Sequence, residues 1–171
     1  MGQKRRLQIG AGIVCVILTV LGILSLVIRT PHLTLTNAQT NVLLYFTPFE
    51  EGETFSISYI HSLHQSPVTE IYEVRGGQIV LVALEFETFG AGLPEALESG
   101  QTRTRLETGG LRIDGFNRLI PDLRVLIGHT AEHTLHIKDK SISLDTLDYP
   151  GQSLQFTPRR LNIWQRFYFK R

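Results

Sequence analysis

Cysteine is nearly absent. The 171 residues hold one, Cys15, so no internal disulfide is available. Whatever folds must be held by core burial, which about 140 residues can supply once an apolar segment near the start is set aside. Cys15 follows Gly12-Ile13-Val14, without the small residues that lipoprotein processing needs, and reads as a small apolar residue of a helix. No pair of cysteine ligands and no His-Glu-x-x-His helix is present, so the usual zinc patterns are missing. No long amphipathic pattern occurs, which argues against a helical bundle. Acidic residues are missing from the whole first part of the chain. All sixteen follow a charge-free run at residues 7–28, while Lys4, Arg5, Arg6 and Arg29 flank it. Beyond Arg29 stand thirteen basic against sixteen acidic residues (13 − 16 = −3), a balance with no electrostatic reason to seek nucleic acid.

The charge-free run is long enough to matter. Its 22 residues would rise about 33 Å as a helix, against a hydrocarbon core of about 30 Å. A cleaved signal peptide would have a shorter apolar stretch and a small-x-small site, and Ser25-Leu26-Val27-Ile28-Arg29 offers none. The expectation is one uncleaved transmembrane helix within residues 1–30. Three basic residues before it and one after it orient the N-terminus to the cytoplasm. The expected localisation is a membrane crossed in a single pass, with the C-terminal domain extracytoplasmic.

Residues 31–41 read as a tether or edge strand, and residues 42–171 as the outer domain. There the pattern is of short strands. Phe55, Ile57 and Tyr59 alternate with Ser56, Ser58 and Ile60. Residues 68–74 and 79–86 flank Gly76-Gly77, a two-residue hairpin signal, because both positions tolerate positive φ. Gly109-Gly110 marks a second hairpin and residues 138–140 a third. Residues 123–127 and 154–156 are further strands, and a helical turn is expected at 95–98. The aromatic, basic tail, residues 163–171, reads first as a last strand closing the sheet and alternatively as a rest at the membrane interface. The expected architecture is mainly β: a β-sandwich or partly open barrel of about seven to nine short antiparallel strands.

Two segments carry a resemblance. Tyr59-Ile60-His61-Ser62, continuing to Pro67-Val68-Thr69-Glu70-Ile71-Tyr72, and then Phe89-Gly90-Ala91-Gly92-Leu93-Pro94, resemble the bacterial domain-of-unknown-function family 1850 over roughly residues 50–140. The resemblance implies a small envelope protein anchored in the bacterial inner (cytoplasmic) membrane, often encoded beside TRAP-type transporters with TAXI-class solute receptors. It supplies no catalytic assignment.

The candidate ligand or partner residues are His61, Ser62, Glu70, Tyr72, Gly90, Gly92 and Pro94. An antiparallel pairing of the two strands is expected to bring Glu70 near His61, where a carboxylate orients the imidazole and raises its pKa. A hydrolase built on His61, Ser62 and Glu70 is one alternative, although adjacent strand residues point to opposite faces. A structural envelope protein is the other. His133 and His136 would face opposite sides of a strand, so no metal site is expected, and no cofactor. The arginines 103, 105, 112, 118 and 124 read as solvated surface. The leading expectation is a non-enzymatic accessory or binding module. Its helix would pair with TRAP-type membrane subunits, and its domain would meet the solute receptor or solute through His61, Glu70 and the Gly90 loop.

Overall fold

The structure, a computed structural model, describes residues 2–62, 65–87 and 96–168, with side chains from residue 14 onward. Gly90, Gly92 and Pro94 therefore lie outside the described residues. Helix α1 (Gly2–Val27) leads into eleven strands: β1 (Arg29–Asn37), β2 (Leu43–Pro48), β3 (Thr54–Ile60), β4 (Pro67–Arg75), β5 (Gln78–Phe86), β6 (Thr102–Arg105), β7 (Leu111–Ile120), β8 (Leu123–Leu126), β9 (Thr134–Ile137), β10 (Lys140–Ser143) and β11 (Ser153–Asn162). A six-residue helix, α2 (Ile163–Tyr168), follows. The strands form two antiparallel sheets, β2-β1-β11-β8 and β10-β9-β3-β4-β5-β7-β6. The chain divides into two compact units, residues 1–31 with 160–171, and residues 32–159.

The second unit is a β-sandwich. Alternation turns Phe55 and Ile57 of β3, Tyr72 and Val74 of β4, and Leu135 and Ile137 of β9 to one face. They bury against Leu33 and Leu35 of β1 and Leu154 and Phe156 of β11. Phe55 lies at the centre. Its ring stacks on Tyr72 at 5.3 Å and, across the sheets, on Phe156 at 5.8 Å.

Four sequence expectations change. The strands number eleven among the described residues, not seven to nine. Residues 31–41 are no tether: β1 takes most of them as an interior strand, and His32 through Asn37 are buried. Thr34 and Asn37 find distant partners, which is how polar side chains of this segment can be buried. Thr34 donates to the Thr157 carbonyl at 2.8 Å, and Asn37 donates to Asp148 at 2.7 Å and Gln152 at 3.0 Å. The tail is no last strand, because a reciprocal cap starts a helix there. Asn162 Oδ1 accepts from the Gln165 N–H at 2.9 Å, and Gln165 Oε1 from the Asn162 N–H at 3.0 Å. Residues 96–98 carry no helical turn. The glycine hairpins form as expected, with Gly76 and Gly77 at φ 58° and 70° joining β4 directly to β5.

In the first unit, the side chains of residues 14–28 are exposed except for half-buried Ser25. Residues 14–27 rise about 21 Å. Among the described residues no helix is long and apolar enough to cross a membrane.

One irregularity bends the large sheet. Between β5 and β7, Val82 alone stands opposite Gly115, Phe116 and Asn117, so β7 carries two extra residues. The bulge sends Phe116 toward the core, where it packs on both apolar clusters. Gly115 has φ +88°, and a Cβ there would collide with the Gly100 carbonyl oxygen. Gly52 has φ +81° but open space around it. In thermal melts of the full-length protein, Gly52→Ala should cost about 1–2 kcal/mol, the left-handed penalty alone. Gly115→Ala should cost more, ~3 kcal/mol. Equal losses would mean that the bulge yields to the collision.

Candidate functional site

The site begins with a carboxylate in an apolar position. In β4 the inward residues are Val68, Glu70, Tyr72 and Val74, and three of the four are buried and apolar. Glu70 occupies the fourth place, opposite Ile57 in register, and is half-buried. A carboxylate there needs donors. Tyr72 Oη donates to Oε2 at 2.6 Å, and Tyr59 Oη to Oε1 at 3.5 Å. Two tyrosines thus hold one carboxylate from two adjacent strands.

The other wall comes from the small sheet. Edge strand β8 supplies Arg124, Val125 and Leu126, and the segment before β9 supplies His133. With Ile57, Tyr59 and Glu70 these residues line a cleft of about 260 Å³. The His133 ring lies 5.5 Å from that of Tyr59, and its Nδ1 accepts the Gly128 N–H at 3.5 Å. Arg124 is exposed and bonds Asp122 through Nε at 3.0 Å. β8 alternates: Leu123 and Val125 lie opposite the buried Phe156 and Leu154, so Arg124 lies on the outer face, bound to Asp122, and Glu70 is the charge turned into the cleft.

Electrostatics fix the protonation of this group. Burial first, and then the charge and hydrogen bond of Glu70, push the Tyr59 hydroxyl up to about 12. Burial, followed by the same carboxylate, raises Tyr72 further. Both remain neutral donors at physiological pH. Burial pulls His133 below its ordinary value, toward the neutral imidazole. The cleft thus offers a carboxylate with spare acceptor capacity and neutral aromatic walls. Such a set can bind a small polar molecule. Phenols held this far from neutral pH are poor acid–base catalysts.

The sequence candidates separate. Glu70 and Tyr72 belong to the site. Glu70 does not meet His61: the register sets residue 57 opposite 70, so the cross-strand neighbour of His61 is Ser66. The His61 N–H donates to the Ser66 carbonyl at 2.9 Å, closing the loop after β3. Ser62 is exposed there, and its carbonyl accepts from the Gln65 side-chain amide at 2.8 Å. The proposed grouping of His61, Ser62 and Glu70 is therefore not assembled, because the β3–β4 register sets His61 opposite a residue four positions before Glu70. The Gly90, Gly92 and Pro94 expectation lies outside the described residues.

Sequence reasoning did not combine Tyr59, Arg124 and His133 with Glu70. It also missed an outer-face line in which Ser58 Oγ lies 2.8 Å from His136 Nε2, and His136 Nδ1 lies 2.9 Å from Ser141 Oγ. A hydroxyl in the third place cannot stabilise an imidazolium as a triad carboxylate does, and the line reads as a cross-strand polar ladder. His133 and His136 do face opposite sides. Among the described residues no group of three or more His, Cys, Asp or Glu side chains gathers to hold a metal ion.

Two titrations check this electrostatic account. Glu70→Gln should bring the onset of Tyr59 phenolate formation down from about 12, yet leave it above 10, since burial is the larger cause. An unchanged phenolate absorbance curve would separate Tyr59 from Glu70. His133, depressed in the folded chain, binds its proton later than in the unfolded chain. Its contribution to stability is thus complete above about 6.5 and is lost as pH falls toward the folded value. His133→Gln should reduce the drop in melting temperature between about pH 7 and pH 5. An identical drop in both proteins would clear His133 of that role.

Residues 55–144 match the family described as Domain of unknown function (DUF1850). No curated protein and no solved structure matches the chain. The match runs from β3 through β10 and includes Glu70, both tyrosines, Arg124 and His133, while β1, β2 and β11 fall outside it. Because it covers more than half of the sequence, the chain belongs to the DUF1850 family.

Proposed function

We propose that this chain is a membrane-anchored extracytoplasmic binding module, an accessory to a TRAP-type solute transporter of the bacterial cytoplasmic membrane. The observation that carries the binding role is the cleft around Glu70. A half-buried carboxylate, held by two phenols, lines an opening between the sheets beside a histidine. A small solute with a donor or cationic group would satisfy its remaining acceptor capacity. The same cleft suits a short polar segment of a solute receptor presenting such a group.

The anchor reading rests on the charge-free residues 7–28 and on the exposure of the apolar side chains from residue 14. The helix also satisfies its own hydroxyls. Thr19 donates to the Cys15 carbonyl at 2.8 Å and Ser25 to the Gly22 carbonyl at 2.6 Å, so neither needs water. The transporter context comes from the family resemblance. A hydrolase draws no support from the cleft, where no nucleophile lies beside His133.

Purification of the full-length protein from native membranes in a gentle detergent tests the association. Stoichiometric transporter subunits are expected, and a protein that emerges alone would overturn the accessory role. Glu70→Gln should lower solute uptake about tenfold, the equivalent of ~1.4 kcal/mol, without changing the amount of protein in the membrane. Normal uptake by that variant would remove the cleft from the mechanism.

A further inference from the structure

The first unit leaves its largest rings uncovered. On the six-residue α2, Ile163, Trp164, Phe167 and Tyr168 are 43%, 60%, 65% and 79% exposed. Their spacing gathers them on one side of the helix, with Gln165 and Arg166 on the other. Gln165 is already used in the cap with Asn162. Four large apolar side chains in water would be a costly surface for so short a helix.

The same unit indicates what covers them. Trp164 Nε1 donates to Ser25 Oγ at 2.9 Å, and Ser25 donates onward to the Gly22 carbonyl. Ser25 is also the one residue between 14 and 28 that is not fully exposed. The indole's polar handle is thus satisfied within the unit, and its ring lines an apolar groove with Thr19, Gly22, Ile23 and Leu26. The Trp164–Ser25 bond sets α2 beside the C-terminal end of α1, whose apolar side chains are also exposed. Basic groups belong to the same unit: Arg29 follows α1, the Arg160 guanidinium donates to the Arg29 carbonyl at 3.0 Å, and Arg166 lies in the last turn of α2. No acidic residue occurs in this unit.

We propose that α2 is an interfacial helix. Its Trp164, Phe167 and Tyr168 side chains bed in the headgroup–acyl boundary of an anionic bilayer, and Arg29, Arg160 and Arg166 meet the lipid phosphates. This rests on the reading of α1 as a membrane anchor. The helix then works as a second foothold that fixes the depth of α1's end.

Trp164 is the only tryptophan, so its fluorescence reports on this helix alone. The full-length protein is reconstituted into phosphatidylethanolamine–phosphatidylglycerol vesicles, with and without brominated acyl chains. The expected results are blue-shifted emission, loss of most intensity with brominated lipid, and little quenching by aqueous iodide. The double variant Phe167→Ser, Tyr168→Ser, which keeps the cap and the probe, should shift emission to the red and restore iodide quenching. Water-like emission from a protein that resists alkaline carbonate extraction would overturn the interfacial role and leave the anchor standing. Blue-shifted emission insensitive to brominated lipid would mean that protein, not lipid, covers Trp164, and would also overturn it. Extraction by carbonate would remove the anchor reading and this inference together.

Discussion

The stack of Phe55 between Tyr72 and Phe156 is the contact on which the rest of the sandwich depends. It joins the two sheets at their centre. With no disulfide available, cohesion between the sheets comes from apolar burial. Removing a buried phenylalanine from such a core costs about 3–5 kcal/mol, a large share of the ~5–15 kcal/mol that holds a typical domain together. The stack also reaches the cleft. The Tyr72 ring is set by Phe55, and its hydroxyl is thereby delivered to Glu70. Core packing and carboxylate placement share one side chain.

That sharing explains how an inward-facing glutamate is tolerated. An unpaired carboxylate in an apolar layer would take up a proton or force the layer open. Here two phenols supply the missing donors, and the open side of the cleft supplies solvent. The tyrosines are raised by burial first and by the carboxylate second, and His133 is lowered by burial in the same wall. One arrangement accounts for three shifts in two directions. Arg124 stays outside the balance, paired with Asp122 on the outer face of the small sheet.

Legibility in the sequence followed the range of the interaction. The Gly76-Gly77 and Gly109-Gly110 hairpins were readable because a turn's demand for positive φ is local. The alternation in β3 and β4 was readable for the same reason, and Glu70 at an inward place in β4 was a signal open to that reading. β1 was not readable. Its buried Thr34 and Asn37 look like tether residues until Thr157, Asp148 and Gln152, more than a hundred positions away, come to meet them. The tail misled in another way. Its aromatic composition suits a strand, and the Asn162-x-x-Gln165 cap that makes it a helix was overlooked. The cleft needed the most distant information, because nothing near Arg124 says that β8 closes over β3 and β4.

The strand order carries a consequence for how the molecule is made. β11 inserts between β1 and β8, running antiparallel to β1, with the Ala38 N–H donating to the Ser153 carbonyl at 2.7 Å. β1 leaves the ribosome more than a hundred residues before β11 is complete. Until residue 162 has emerged, the β1–β2 hairpin has a bare edge, and such edges invite pairing with other chains. The seven-stranded sheet, built wholly from residues 54–143, has no such wait. Synthesis therefore divides the domain in time: one sheet can close as it is made, while the other stays open until β11 arrives.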